Sequence, residues 1–173
     1  AIGEFRRKTV EAGFDGLHFQ VVHWSGHTYG WLNDDDVCKG IDIYKLYDYL
    51  GIDSVTSYNW GCSINFDGDF ADVTKAYCDK LESESAKLTV PFYPNISVGW
   101  DNNVRFYDFM PGVVTDNTPE KFKAACEKVK SFTDASLNKN IMKAPFITVN
   151  SWNEWTETSY LQPDDLYGYG YLE

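Results

Sequence analysis

Four times along this chain a short, β-rich segment opens into a loop of aromatic and polar side chains, and each time a helical pattern stands in front of it. Residues 4–12 have the charge and apolar spacing of a short helix, closed at Gly13, where a left-handed cap is expected. A strand over 16–23 runs into Trp24-Ser-Gly-His-Thr-Tyr-Gly30. A helix over 41–50, stopped by Gly51, precedes a strand over 53–57 and the loop Tyr58-Asn-Trp-Gly-Cys-Ser63. A helix over 67–86 precedes a strand over 88–93 and the loop 94–103. The last helix starts with Thr118 as N-cap and Pro119 at its first position, runs to about residue 137, and leads to an apolar run with Phe146, Ile147 and Val149. Strands apolar on both faces, alternating with helices, imply a parallel sheet covered by helices. In such folds the chemistry gathers at the C-terminal ends of the strands, where the aromatic and polar loops fall here.

A complete eight-stranded barrel takes roughly 250 residues. This chain has 173 and four strand units. The expected fold is therefore α/β, of the TIM (β/α)8-barrel type, with residues 1–173 forming a single α/β domain that is the C-terminal half of a larger catalytic domain. Closure by a second copy, or a small open α/β domain, are the alternatives. A half-barrel exposes the sides of its first and last strands, so a homodimer, or association through the missing half, is expected.

Composition removes several functions. A net charge of −11 disfavours any phosphate-backbone partner, so no nucleic acid is expected. No stretch approaches the ~18 apolar residues of a membrane span. Cys38, Cys62, Cys78 and Cys126 form no metal pattern and read as small hydrophobes, although an even number leaves disulfides open. Aromatics reach 17% and many adjoin Gly, Asn or Asp, which suits either sugar rings or a large core.

The strongest candidate for chemistry is the segment from Pro145 to Pro163, where Glu154 and Glu157 stand three residues apart beyond the last strand. Cleaving a glycosidic bond requires two carboxyl groups, one giving a proton to the leaving oxygen and one acting as base or nucleophile. Asn153 and Trp155 interleave with them. A second patch, Trp100, Asp101, Asn102 and Arg105, offers an apolar face, a carboxylate, an amide and a guanidinium for hydroxyls; its structural alternative is a local turn with Asp101 paired to Arg105. Tyr58, Asn59 and Trp60 form a third patch that could recognise sugar or seal the barrel mouth. His23 reads as a hydrogen-bonding residue near the cleft, beside Trp24, and the glycine-flanked His23/His27 pair lacks the helical spacing of a metal site, so no metal is expected. Asp34, Asp35 and Asp36 read as a solvated helix start.

The string Val149-Asn-Ser-Trp-Asn-Glu-Trp-Thr-Glu157, followed by Leu161-Gln-Pro-Asp164, resembles the N-E-W-x-E-G…L-E-P-D signature of glycoside hydrolase family 99-like proteins, including the WbsX-like group often labelled glycosyltransferases. Pro94-Asn-Ile-Ser-Val-Gly-Trp-Asp-Asn102 resembles the same group's P-N-x-S-x-G-W-D-N motif. The resemblance implies a (β/α)8 barrel acting on glycans without a cofactor, with Glu154 as base toward a sugar 2-hydroxyl and Glu157 as acid/base. Thr158 stands where the motif has Gly, and Gln162 where it has Glu.

The resulting expectation is a bacterial retaining glycoside hydrolase acting on a mannose- or rhamnose-type glycan through Glu154 and Glu157, placed at the periplasm or cell surface. The alternatives are a glycosyltransferase of polysaccharide biosynthesis and a non-catalytic sugar-binding module.

Overall fold

A computed structural model describes residues 2–23 and 42–173. The elements are α1 (Ile2–Glu11), β1 (Gln20–Val22), α2 (Ile43–Leu50), β2 (Ser54–Thr56), β3 (Gly68–Asp69), α3 (Phe70–Ser85), β4 (Asn95–Ser97), β5 (Val114–Thr115), α4 (Pro119–Asn138), β6 (Thr148–Asn150), β7 (Asn153–Glu154) and β8 (Ser159–Tyr160). Trp24, Cys38, His27 and the Asp34–Asp36 run lie outside the described residues.

The helices begin where their caps dictate. Asp69 accepts the amide of Ala71 at the start of α3, and Thr118 accepts that of Lys121 at the start of α4, with Pro119 next in line. Buried positions on α3 recur as Phe70, Val73, Tyr77, Leu81 and Glu84, and on α4 as Phe122, Ala125, Val129, Thr133 and Ser136, one stripe per helix. Gly51 ends α2 in the left-handed conformation expected of it (φ 73°).

The main strands are short and parallel. β1 pairs with β2, β4 pairs with β6, and a parallel bridge between Val55 and Phe92 joins the two pairs. Among the described residues this ladder does not close into a barrel. The third strand lies at Asn95–Ser97 rather than over 88–93: Pro91 and Pro94 have no N–H to give a ladder, so continuous pairing starts only after them.

The sheet also differs from the expectation in its faces. Val55, Phe92, Ile96 and Val98 are buried in one core with the apolar stripes of α3 and α4. The opposite face is polar, because alternate residues point to opposite sides. There the Thr56 and Thr148 hydroxyls are 3.0 Å apart, Asn95 Nδ2 donates to Thr148 Oγ1, and Ser97 Oγ donates to Asn95 Oδ1. β6 is not buried as its apolar residues suggested: Val149 is 44% exposed and Phe146 comparably so. Cys62, Cys78 and Cys126 are free thiols, and only Cys62 is fully buried.

Candidate active site

The polar face opens, beside the C-terminal ends of β1, β2 and β6, into a cleft of about 340 Å³ lined by Ser57, Tyr58, Asn95, Asn150, Asn153 and Glu154 among others. Larger hollows lie between α3 and α4 (about 590 Å³) and under the C-terminal turn (about 820 Å³), away from the paired acids.

A hairpin builds the acidic wall. β7 pairs antiparallel with β8, Asn153 opposite Tyr160 and Glu154 opposite Ser159. Between them the chain makes a single 3₁₀ turn, Trp155–Glu157. The two terminal nitrogens of Arg105 reach Glu154 and Glu157, so both carboxylates project to the same side of this turn. Serines fix the base of the hairpin: Ser151 Oγ donates to the Ser159 carbonyl and accepts from the Glu154 amide, while Ser159 Oγ bonds to the carbonyl and side chain of Asn150.

Arg105 holds both acids. Nη1 donates to Glu157 Oε1 and Nη2 to Glu154 Oε1, each at 2.8 Å, and Nε donates to Thr156 Oγ1. Thr156 Oγ1 in turn donates to Glu154 Oε1 at 2.7 Å. The Thr156 hydroxyl and the Arg105 charge hold the Glu154 carboxyl below its ordinary value, against a partial desolvation that opposes them. Tyr58 OH lies 3.4 Å from Glu157 Oε2; burial first, then the negative charges of Glu157 and Glu154, push its phenol up, so it stays protonated as a donor.

Backbone contacts lock the 94–103 segment to the hairpin. The amide of Asp101 donates to the Glu157 carbonyl, and Asn117 Nδ2 donates to the Val98 carbonyl. A Cβ on Gly99 would lie 2.6 Å from Asn117 Nδ2 and 2.7 Å from the Thr158 carbonyl oxygen, so no other residue fits there without displacement. Thr158 itself is left-handed (φ 49°), the conformation that the motif's Gly adopts without penalty.

The structure thus brings together Tyr58, Arg105, Asn153, Glu154 and Glu157, while the ring of Trp155, on the same turn, lies against Tyr160 and Gln162. Several other candidates lie elsewhere. Trp60 is fully buried, its ring stacked 4.9 Å from that of Tyr77 and 5.4 Å from that of Phe70, with its indole N–H on the Asn95 carbonyl; its large apolar area is spent in the core. Asn59 is buried and faces its own turn, where its Oδ1 meets Cys62 Sγ. His23 is buried among Tyr44, Tyr47 and Phe92, with Nδ1 2.9 Å from Tyr47 OH and Nε2 3.5 Å from Glu84, because it points to the helix side of the sheet. Trp100 packs on Phe66 against the core. Asp101 is not paired with Arg105: its carboxylate accepts from the amide and side chain of Asn103. Asn102 is half-buried beside it, its Oδ1 without a hydrogen bond.

Thr156, Ser151 and Ser159 escaped the sequence reading. Small hydroxyls become legible only once the hairpin is known, although Thr156, between two acids on a turn, was open to notice. Among the described residues no three His, Cys, Asp or Glu side chains gather to hold a metal ion, and no helix is long and apolar enough to cross a membrane.

A family profile described as Glycosyltransferase WbsX matches residues 3–173. The chain belongs to the WbsX family. Two curated proteins from strains of Xanthomonas campestris pv. campestris, each named Uncharacterized protein WxcX, are 25% identical to this WbsX-family chain over 124 residues. That alignment covers 69% of the chain and 16% of each relative, so the chain corresponds to a small part of their length. No solved structure matches. The family's description is that of a glycosyltransferase, not of a hydrolase.

Proposed function

We propose that this chain carries the catalytic acids of an enzyme that transfers glycosyl groups in polysaccharide biosynthesis. The observation that carries the reading is the placement of Glu154 and Glu157 on one side of a single turn, at the strand-end cleft, under one guanidinium. Glu154, held ionised by Thr156 and Arg105, is suited to accept the proton of an attacking sugar hydroxyl. Glu157, which accepts from Arg105 and faces the Tyr58 phenol, is placed to fill the acid role, giving a proton to the departing oxygen once it has taken one up. As the acceptor oxygen forms its bond to the anomeric carbon, the bond to the leaving oxygen breaks, and the two protons end on Glu154 and on the leaving group. The family description supports transfer as the net reaction.

A second reading is a retaining glycoside hydrolase for a mannose- or rhamnose-type glycan, in which Glu154 takes the proton of the sugar's own 2-hydroxyl, that oxygen closes on the anomeric carbon as the leaving oxygen departs with a proton from Glu157, and water then opens the intermediate, its proton passing to Glu157 while Glu154 returns its own to the 2-oxygen. The same carboxylate pair, and the resemblance of its motif to family 99 hydrolases, favour it. Both readings place the four parallel strands in one half of a (β/α)8 barrel, whose remaining strands would cover the polar face and the exposed flank of β6.

The experiment supplies the full-length protein with an activated sugar donor and a glycan acceptor, together and separately. Product that requires both supports transfer, whereas release of reducing sugar from the glycan alone supports hydrolysis. Glu154→Gln and Glu157→Gln should each lower turnover about 10²- to 10⁴-fold with folding intact. Undiminished turnover in both variants overturns the catalytic assignment.

A further inference from the structure

Trp155 is mounted in a way that the acid chemistry does not require. One face of its indole lies on the ring of Tyr160, centroids 3.7 Å apart and planes 18° from parallel. Its N–H donates to Gln162 Oε1 at 2.6 Å. Tyr160 is itself fixed, its hydroxyl donating to Asp164 Oδ2, while Asp164 Oδ1 caps the amides of Leu166 and Tyr167. Main-chain bonds from Leu161 and Gln162 to the Trp152 carbonyl hold this strip against the start of the hairpin. Yet Trp155 is 44% exposed. With one face on Tyr160 and the N–H edge on Gln162, the accessible part is the outer face, next in sequence to Glu154.

A bulky ring that burial does not hold in place, but that a stacking partner and a hydrogen bond do, is a preorganised apolar surface. We propose that the outer face of Trp155 is a subsite for a neutral hexopyranose ring, 6-deoxy sugars included, adjoining the bond that Glu154 and Glu157 act on. The proposal rests on the catalytic reading for its position but not for its binding chemistry. The C–H face of a pyranose packs on an indole as an apolar ring does, while its hydroxyl rim meets the polar groups of Asn153 and the cleft. Charge selects the sugar class. Glu154 and Glu157 flank Trp155 on its own turn, Asp164 holds the Tyr160 on which it stacks, and the guanidinium of Arg105 is already shared by Glu154 and Glu157. A uronic acid would bring another negative charge into this field. Tyr160 and Gln162 act as positioning residues for the platform, and Gln162 does this without adding the charge that the motif's Glu would bring.

The test is calorimetric titration and saturation-transfer NMR of the full chain with methyl α-D-mannopyranoside, methyl α-L-rhamnopyranoside and methyl β-D-glucuronide. At least one neutral glycoside should bind saturably, and the glucuronide at least about tenfold more weakly. Trp155→Ala should weaken the neutral glycoside about tenfold, Trp155→Phe less, and Gln162→Leu, which frees the indole, about threefold. Because Trp155 is exposed at the surface, the alanine variant should keep its fold, and far-UV circular dichroism checks that. Wild-type affinity in Trp155→Ala overturns the platform, as does absence of saturable binding of both neutral glycosides up to about 50 mM. Equal binding of the glucuronide overturns the charge selection. Binding is repeated in Glu154→Gln, so that affinity and turnover are read separately: full turnover there sinks the catalytic reading while lost affinity in Trp155→Ala still supports the platform.

Discussion

Arg105 Nη1 donates to Glu157 Oε1 at 2.8 Å, joining a residue of the loop beyond β4 to a largely buried acid on the hairpin beyond β6. The same guanidinium reaches Glu154, so one cation bridges both candidate catalytic acids.

Removing it should change the charge state of the site as well as its geometry. Arg105→Ala takes away a group that keeps the Glu154 carboxyl low, so Glu154 should titrate at higher pH, and the acid limb of the pH–rate profile should move upward. Turnover at neutral pH should fall about 10²-fold, with Arg105→Lys recovering only part because an ammonium cannot fork to two carboxylates. An unmoved acid limb in Arg105→Ala would contradict this role.

Thr158 offers a stability test. Its left-handed backbone costs a β-branched residue about 1–2 kcal/mol, partly offset by the flexibility a glycine brings to the unfolded chain. Thr158→Gly should therefore stabilise the protein by about 0.5–1 kcal/mol in urea titration. A destabilisation beyond about 1 kcal/mol would show that the Thr158 hydroxyl, bonded to the Glu157 carbonyl, matters more than the strain.

Trp60 separates core from cleft. Trp60→Ala should cost about 3–5 kcal/mol of stability, because a fully buried ring stacked on Phe70 and Tyr77 leaves a cavity. Trp155→Ala, by contrast, should cost little stability. Chemical denaturation of the two variants side by side distinguishes the roles.

Acid should destabilise the fold in two stages. Burial holds the His23 imidazole below its ordinary value although Glu84 faces it, so the unfolded chain binds that proton first, and stability declines as pH falls below about 6.5. Glu84 opens the second stage. Burial pushes its carboxyl up, but hydrogen bonds from Lys80, Tyr44 and Lys87 outweigh that and bring it to about 2. Its contribution is present above the unfolded value of 4.5 and is lost as pH falls from there toward 2. Glu84→Gln should shrink the second stage, leaving the part due to Asp53 and the other lowered carboxylates, as read from urea midpoints between pH 7 and pH 3.

The order of helices and strands was legible because each helix carries its own cap and its own apolar stripe, as Thr118-Pro119 and Gly51 illustrate. The acids were legible because two carboxylates beside Trp on a strand-end loop are an unusual expenditure. What stayed hidden depended on partners far away in sequence. Trp60 looks the same as Trp155 in a loop, and only the stacked rings of Phe70 and Tyr77 make it core. The sequence offered Arg105 either a substrate hydroxyl or its neighbour Asp101, whereas a hairpin about fifty residues later supplies its carboxylates. The polar sheet face was missed because strands of three residues are too short for alternation to show against Pro91 and Pro94.

The missing side chain of Gly99 sets the unit in which this site can be inherited or transplanted. The space a methyl group would take there is already shared by Asn117 and the Thr158 carbonyl, so the hairpin cannot be grafted alone onto another scaffold. Three stretches separated in the chain, around residues 99, 117 and 158, must travel together. Recombination between relatives that splits them should yield proteins that keep the acids in their sequence and lose their alignment in space.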